Sequence, residues 1–206
     1  MPFIQAPKIK QQKTLFYTLT AATAHVGVSF ATQKWAEKFT QQNKRVLIFD
    51  ALLGLQNFPQ NNPNQEQIPD VLQGLAPLTN LIISSKQGWD VITGLANQNL
   101  QAQSIATQER IKNDLYQLAT TYDIVLIDCP AAVTASIFQN LGTHIWVSTP
   151  QQQILLKTLR LMALETAPLL ILNQVQNETE YGDLCLFVKN LLPKCQILEF
   201  FEQKNS

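Results

Sequence analysis

Two histidines, three cysteines and no excess of charge of either sign leave this 206-residue chain without the means for several chemistries. Lys+Arg and Asp+Glu balance at 15 each, so no overall field draws it to nucleic acid or to anionic lipid. Cys129, Cys185 and Cys195 are odd in number and show no paired spacing. That excludes a disulfide framework and a cysteine zinc cluster, and it suits a reducing compartment. Cys129 ends an apolar run and reads as a small buried residue. Nowhere do apolar residues run to the ~18 that span a bilayer. The opening Met1-Pro2-Phe3-Ile4-Gln5-Ala6-Pro7-Lys8 has no apolar core long enough for a secretory signal, so a cytoplasmic location is expected.

What is present suits one domain of ordinary size. The hydrophobic share is 46%, enough for a substantial core. A polar leader covers residues 1–13, and residues 14–206 read as one α/β domain shortened at its C-terminus. Glutamine and asparagine crowd Gln56 to Gln65, a stretch broken by Pro59 and Pro63 that reads as a solvated loop. Strands are expected at Thr14–Thr20, Arg45–Phe49, Leu81–Ser84, Val91–Ile92, Ile124–Ile127, His144–Ser148, Leu169–Leu172 and Gln196–Leu198. Helices are expected at Ser29–Gln42, Ser104–Thr121, Ile154–Glu165 and Tyr181–Leu192. Ile111, Leu115, Leu118 and Ala119 recur at helical spacing, while Glu109, Arg110, Lys112 and Asp114 fall on the other side. Most of the strands are continuously apolar rather than alternating, which implies burial on both faces: a mostly parallel sheet covered by helices, a three-layer sandwich. No internal repeat is evident.

In such a sheet every parallel strand ends on one edge, where ligands bind. Two strands reach that edge with a carboxylate, Asp50 and Asp128. The first strand runs into Ala22-Thr23-Ala24-His25-Val26-Gly27-Val28-Ser29-Phe30 and then into a helix, whose N-terminus favours an anion. Together these compose a candidate nucleotide site, with Ser29, Asp50 and Asp128 as candidate Mg²⁺ contacts. Rim aspartates also cap loops and helices, and both readings stand at this point. His25 and His144 have no candidate partner in sequence. Trp35 and Trp146 read as core residues, and Trp89 as part of a contact surface.

The segment Asp50-Ala51-Leu52-Leu53-Gly54-Leu55-Gln56-Asn57 resembles the DADLGLAN segment of the MinD/ParA group of ATPases. Asp70-Val71-Leu72-Gln73-Gly74, Gly88-Trp89-Asp90-Val91-Ile92-Thr93-Gly94 and Asp128-Cys129-Pro130-Ala131-Ala132 follow in that group's order, and Ser148-Thr149-Pro150 and Asn173-Gln174 match two later landmarks. The spacing is most similar to the FlhG/FleN branch, regulators of flagellar number and placement. The resemblance spans about residues 14–174. It implies a P-loop NTPase fold, an ATP·Mg site at Gly27, Val28, Ser29, Pro150 and Asn173, and an adenine contact at Asn173.

The departures from the family pattern carry equal weight. The family loop GKGGVGKTT aligns with Ala22 to Phe30, which puts Thr23 at the signature lysine and Val28 at the phosphate-binding lysine. Each lost charge-assisted contact costs about 1.5–3 kcal/mol of phosphate binding. Leu52 stands where the family has the acidic residue that organises the attacking water, and Ala132 where it has a flexible glycine. Ala22, Ala24 and His25 replace further glycines, and a loop needing positive φ strains a non-glycine residue by about 1–2 kcal/mol. The implied protein is a pseudo-ATPase with a degenerate Walker A loop, acting as a binding or regulatory protein in the placement of a cell-surface assembly such as the flagellum. The alternatives are a slow Mg-dependent ATPase that takes a lysine from Lys10, Lys13 or Lys34, and a chromosome or plasmid partitioning factor. The family's basic C-terminal membrane helix has no counterpart, because Pro193, Glu199 and Glu202 interrupt that stretch. The shortened C-terminal part exposes apolar surface that a protein partner or a homodimer would cover.

Overall fold

The computed structural model describes residues 14–51, 65–93, 104–129, 138 and 141–203. The polar leader, the Gln/Asn-rich stretch with Leu52, and Ala132 lie outside the described residues. Eight strands form one sheet: β1 Leu15–Ala21, β2 Val46–Asp50, β3 Ile82–Ser84, β4 Asp90–Ile92, β5 Ile124–Asp128, β6 Thr143–Ser148, β7 Leu169–Val175 and β8 Gln196–Glu202. Their order is β3-β4-β2-β5-β1-β6-β7-β8, and every pair is parallel except β3 with β4. The helices are α1 Val28–Gln41, α2 Ile68–Gln73, α3 Ile105–Ala119, α4 Gln152–Met162 and α5 Glu178–Leu191. This is the expected α/β sandwich with a mostly parallel central sheet.

Alternate residues of the buried strands serve opposite layers. Val46, Ile48, Ile124, Leu126, Leu19, Ala21, Ile145 and Val147 pack with Ala31, Trp35 and Ala36 of α1. Leu47, Phe49, Val125 and Ile127 pack on the other side with α2 and α3, while Trp146, Leu170 and Leu172 meet α4 and α5 on that same side. Because β2 and β5 are fully buried over their whole length, no alternation of polar residues is visible in their sequences. Ser104 caps α3 by accepting from the Thr107 amide, and Asn177 caps α5 by accepting from the Glu180 amide.

Some expectations need correction. Trp89 is buried at 5% exposure within the α1 layer, so it builds core rather than a contact surface. Leu81 closes a 3-10 turn over Leu78–Leu81, and the strand that follows is antiparallel. The six-residue α2 has Pro69 in its first turn and Gly74 at φ 79° beyond its end, a start and a stop that suit a helix of one and a half turns. Arg110 holds that end by donating to the carbonyls of Val71 and Leu72 at 2.7 and 2.6 Å.

Candidate functional site

Asp50 and Asp128 end neighbouring strands in direct register, so the sheet sets the two carboxylates side by side. Both are fully buried. They continue the strand face that α1 covers, and α1 begins at the same edge with Ser29 in its first turn. Asp50 accepts a hydrogen bond from the Thr93 hydroxyl at 3.0 Å, and the amide of Ala51 donates to the Asp128 backbone carbonyl at 2.9 Å. Neither carboxylate oxygen of Asp128 has a hydrogen-bond partner among the described residues. Burial pushes its carboxyl up to about 8; the Ser29 hydroxyl draws it down and Asp50 pushes it further up. Ser29 lies near enough to exert that pull without meeting hydrogen-bond geometry, and its own buried Oγ has no partner among the described residues.

The loop between β1 and α1 makes a sharp turn. His25 takes φ 62° and Gly27 φ 88°, whereas Ala22 and Ala24 stay at negative φ and carry no left-handed strain. A left-handed φ is uncommon for a residue with a side chain such as His25. It costs His25 about 1 kcal/mol, and contacts on either side hold it: Val26 is buried in the α1 layer, and Asn173 Nδ2 donates to the Val26 carbonyl at 2.8 Å. His25 itself is exposed. Asn173 sits at the end of β7 at 5% exposure, so its amide donor is spent on the loop backbone.

Gly27 is the position least able to change. A Cβ there would lie 2.1 Å from Asn173 Nδ2, on a backbone that L-residues rarely adopt. Replacing Gly27 with Ala is expected to cost about 2–3 kcal/mol, combining left-handed strain with a displaced buried hydrogen bond. Urea unfolding of Gly27→Ala with and without Asn173→Ala checks this. The double variant should recover the part of the loss that comes from the clash and keep the part that comes from φ.

Around this edge the polar groups are arranged unevenly. Seven buried side-chain oxygen and nitrogen atoms lack a hydrogen-bond partner among the described residues, and five belong to Thr23, Ser29, Asp128 and Thr149. Thr23, Asp128 and Thr149 lie at or just beyond the ends of β1, β5 and β6, and Ser29 lies in the first turn of α1 at the same edge. Native structures leave few such atoms, and a cluster of them marks a place where something else supplies the partners. Two oxygens of a carboxylate and a serine hydroxyl are a donor set suited to a hard divalent cation and its waters. No group of three or more His, Cys, Asp or Glu side chains able to hold a metal occurs among the described residues, so a cation here would rely on hydroxyls and water as well.

Val28 occupies the first position of α1 and is buried at 8% exposure among apolar neighbours, and Thr23 reaches the rim with a hydroxyl. Lys34 is paired with Glu37 at 2.6 Å and lies over the Phe30 ring; Lys10 and Lys13 fall outside the described residues. Pro150, partly exposed, leads from β6 toward α4 at the same edge. Sequence reasoning thus located the elements of the rim. It missed the roles of Thr93, which bonds Asp50, and of Asn173 as the loop's fastening.

The arrangement has counterparts among known proteins. The MinD cell division protein of Aquifex aeolicus superposes with a TM-score of 0.71 over 93% of this chain and 83% of its own, at 18% identity. The chain has the fold of the MinD proteins. The septum site-determining protein MinD of Pyrococcus horikoshii, solved with Mg-ADP, matches with a TM-score of 0.65 over 92% of this chain and 82% of its own, at 19% identity. In sequence, the septum site-determining protein MinD of Synechocystis is 24% identical over 180 residues, 85% of this chain and 64% of that protein. The chain spans between about half and just under two thirds of the length of the curated MinD relatives it matches. No family model matches it. In sequence and fold it is similar to the MinD/ParA-type P-loop NTPases. Among the described residues no helix is long and apolar enough to cross a membrane.

Proposed function

We propose that this chain is a MinD/ParA-like protein whose nucleotide site no longer hydrolyses ATP, and that it acts as a cytoplasmic binding or regulatory protein in the spatial placement of a cell-surface assembly such as the flagellum. In this reading residues 14–206 belong to one MinD-like α/β domain. The observation that carries the reading is the split at the sheet's edge. Asp128 and Ser29, without side-chain partners among the described residues and beside Asp50, support a cation half of a MinD-type site. The phosphate half has Thr23 and buried Val28 at the two lysine positions. Ser29, Asp50 and Asp128 would hold Mg²⁺, which would supply positive charge against phosphate oxygens. Asp128 would have to release its proton to do so, because burial keeps it protonated near neutral pH. Leu52 has no group with which to orient a water, and a missing transition-state donor costs on the order of 10²–10³ in rate.

Unpartnered Asp128 also favours one competing reading, a slow Mg-dependent ATPase. Phosphate release at millimolar Mg-ATP separates the two when the wild-type chain is compared with Asp128→Ala. The non-hydrolysing reading expects both to stay at the background rate. Release by the wild-type chain that disappears in a folded Asp128→Ala would establish the slow enzyme instead. A partitioning role receives no support from the charge distribution, which shows no basic stripe in sequence.

A further inference from the structure

The end of β7 holds two residues that a regular strand cannot serve together. Along β7, Leu169 and Ile171 face the α1 layer, while Leu170 and Leu172 face the α4–α5 layer. Asn173 keeps the alternation: it lies on the α1 side, where its Nδ2 donates to the Val26 carbonyl at 2.8 Å. Val175 breaks it, being fully buried in the α4–α5 layer with Leu170 and Leu172. Residues two apart on an extended strand share a face. The residue between them removes the conflict.

Gln174 has φ 61°, a left-handed backbone that residues with a side chain rarely adopt, and it is exposed. Against β8 it is an extra residue: Asn173 pairs with Phe201, and Val175 with the very next one, Glu202. That is a β-bulge, uncommon in a parallel pair, and bulges re-aim side chains beside functional sites. Pairing resumes beyond it, where the Gln203 amide donates to the Val175 carbonyl at 2.8 Å. A second irregularity lies lower down, with Leu198 of β8 standing between the partners of Leu170 and Ile171. It belongs to the other strand and leaves the alternation of β7 unchanged.

We infer that Gln174 is a positioning residue for the β1–α1 loop: its left-handed bulge lets Asn173 fasten the loop while Val175 stays buried in the opposite layer. Were Gln174 extended, only one of the two contacts would survive. Burial of a valine side chain outweighs one neutral hydrogen bond, so Val175 would keep its place and Asn173 would release the loop. The segment released is the one that carries His25 at φ 62° and Gly27 at φ 88° into α1 and so to Ser29. In functional terms the inference rests on the site proposed above, since it names what sets that site's shape. Its test reads the loop without nucleotide or metal, so the two fail separately.

Hydrogen exchange of the Asn173 side-chain amide, followed by NMR on the full isotope-labelled chain, tests it. The resonance pair is assigned by its loss in Asn173→Asp. In the wild-type chain these protons should exchange about ten-fold more slowly than those of exposed Asn190. Gln174→Gly, at ease with left-handed φ, should keep the slow exchange and leave the thermal midpoint unchanged or raised. Gln174→Val, β-branched and averse to that backbone, should bring the exchange to within about three-fold of Asn190 and shift the Gly27 and Ser29 amide resonances. Adding Asn173→Ala lets the strand run extended, so the double variant should be more stable than Gln174→Val and should fold even where that single variant does not. A bulge that served stability alone would lower the midpoint in Gln174→Val and leave the Asn173 protons slow, which overturns the inference. So does fast Asn173 exchange in the wild-type chain or in Gln174→Gly, or a double variant no more stable than Gln174→Val.

Discussion

Raising the pH from 5 to 8 is expected to weaken the fold of the wild-type chain by about 2–4 kcal/mol and to leave Asp128→Asn almost unaffected. The sign follows from where the proton sits. In the folded chain the Asp128 carboxyl holds its proton up to about pH 8, because it is fully buried, its oxygens have no hydrogen-bond partner among the described residues, and Asp50 stands beside it. In the unfolded chain it releases the proton near its ordinary value of 3.8. Between those values the unfolded state binds fewer protons than the native state, so stability falls as pH rises. The contribution is complete below pH 4 and has gone above about 8. Each unit of that interval is worth at most 1.4 kcal/mol, and water entering the rim would reduce it. The Cys195 thiol, pushed by burial up to about 11, titrates above this window and does not blur the result. Urea midpoints for the two chains at pH 5, 6, 7 and 8 give the comparison directly; parallel curves would mean that Asp128 is ionised and solvated in the folded state.

Placing a lysine at the start of α1 is expected to do what few single substitutions do, and create affinity. Val28→Lys should tighten Mg-ATP binding by about 10- to 100-fold, the value of one charge-assisted phosphate contact. The turn that a lysine needs is in place, with Gly27 at φ 88° and Asn173 fastening the Val26 carbonyl. The substitution removes a buried valine from the α1 layer and should cost about 1–3 kcal/mol of stability. Adding Thr23→Lys should give a further gain only if the second lysine also reaches phosphate. Turnover should stay at background in both variants, because Leu52 remains apolar. Calorimetric titration of the single and double variants measures this. No gain in affinity from Val28→Lys would place the defect in the shape of the loop rather than in its charge.

The sheet could be read from the chain because its strands are apolar without interruption, and full burial of β2 and β5 is what that pattern means. The strand ends at Asp50 and Asp128 were legible for the same reason, since an ionisable residue after four buried ones has to sit at a rim. Their direct register was not legible, because it depends on how β2 and β5 slide past each other. Ser29 was found through its resemblance to a family position. The fastening of Val26 by Asn173 joins residues 147 positions apart, and nothing local announces it. The turn at His25 is not legible in composition, because which positions of a loop take left-handed φ depends on its fold: here His25 and Gly27 do, and Ala22 and Ala24 do not. Trp89 reads from sequence as part of a contact surface because it stands at a loop-to-strand transition, whereas the parallel pairing of β4 with β2 carries it into the α1 layer. The helix α2 is six residues long, too short for its periodicity to stand out, although Ile68, Val71 and Leu72 do fall at helical spacing.

The central claim is a MinD-fold site that keeps its cation half and has lost its phosphate half. Calorimetric titration of the wild-type chain with ATP and a non-hydrolysable analogue, with and without Mg²⁺, tests it most directly. Two missing charge-assisted contacts together remove about 3–6 kcal/mol of binding. The account therefore predicts a dissociation constant weaker than about 100 μM, with whatever binding remains dependent on Mg²⁺. Binding tighter than that would contradict it and would mean that another cation has taken the place of the lost lysines.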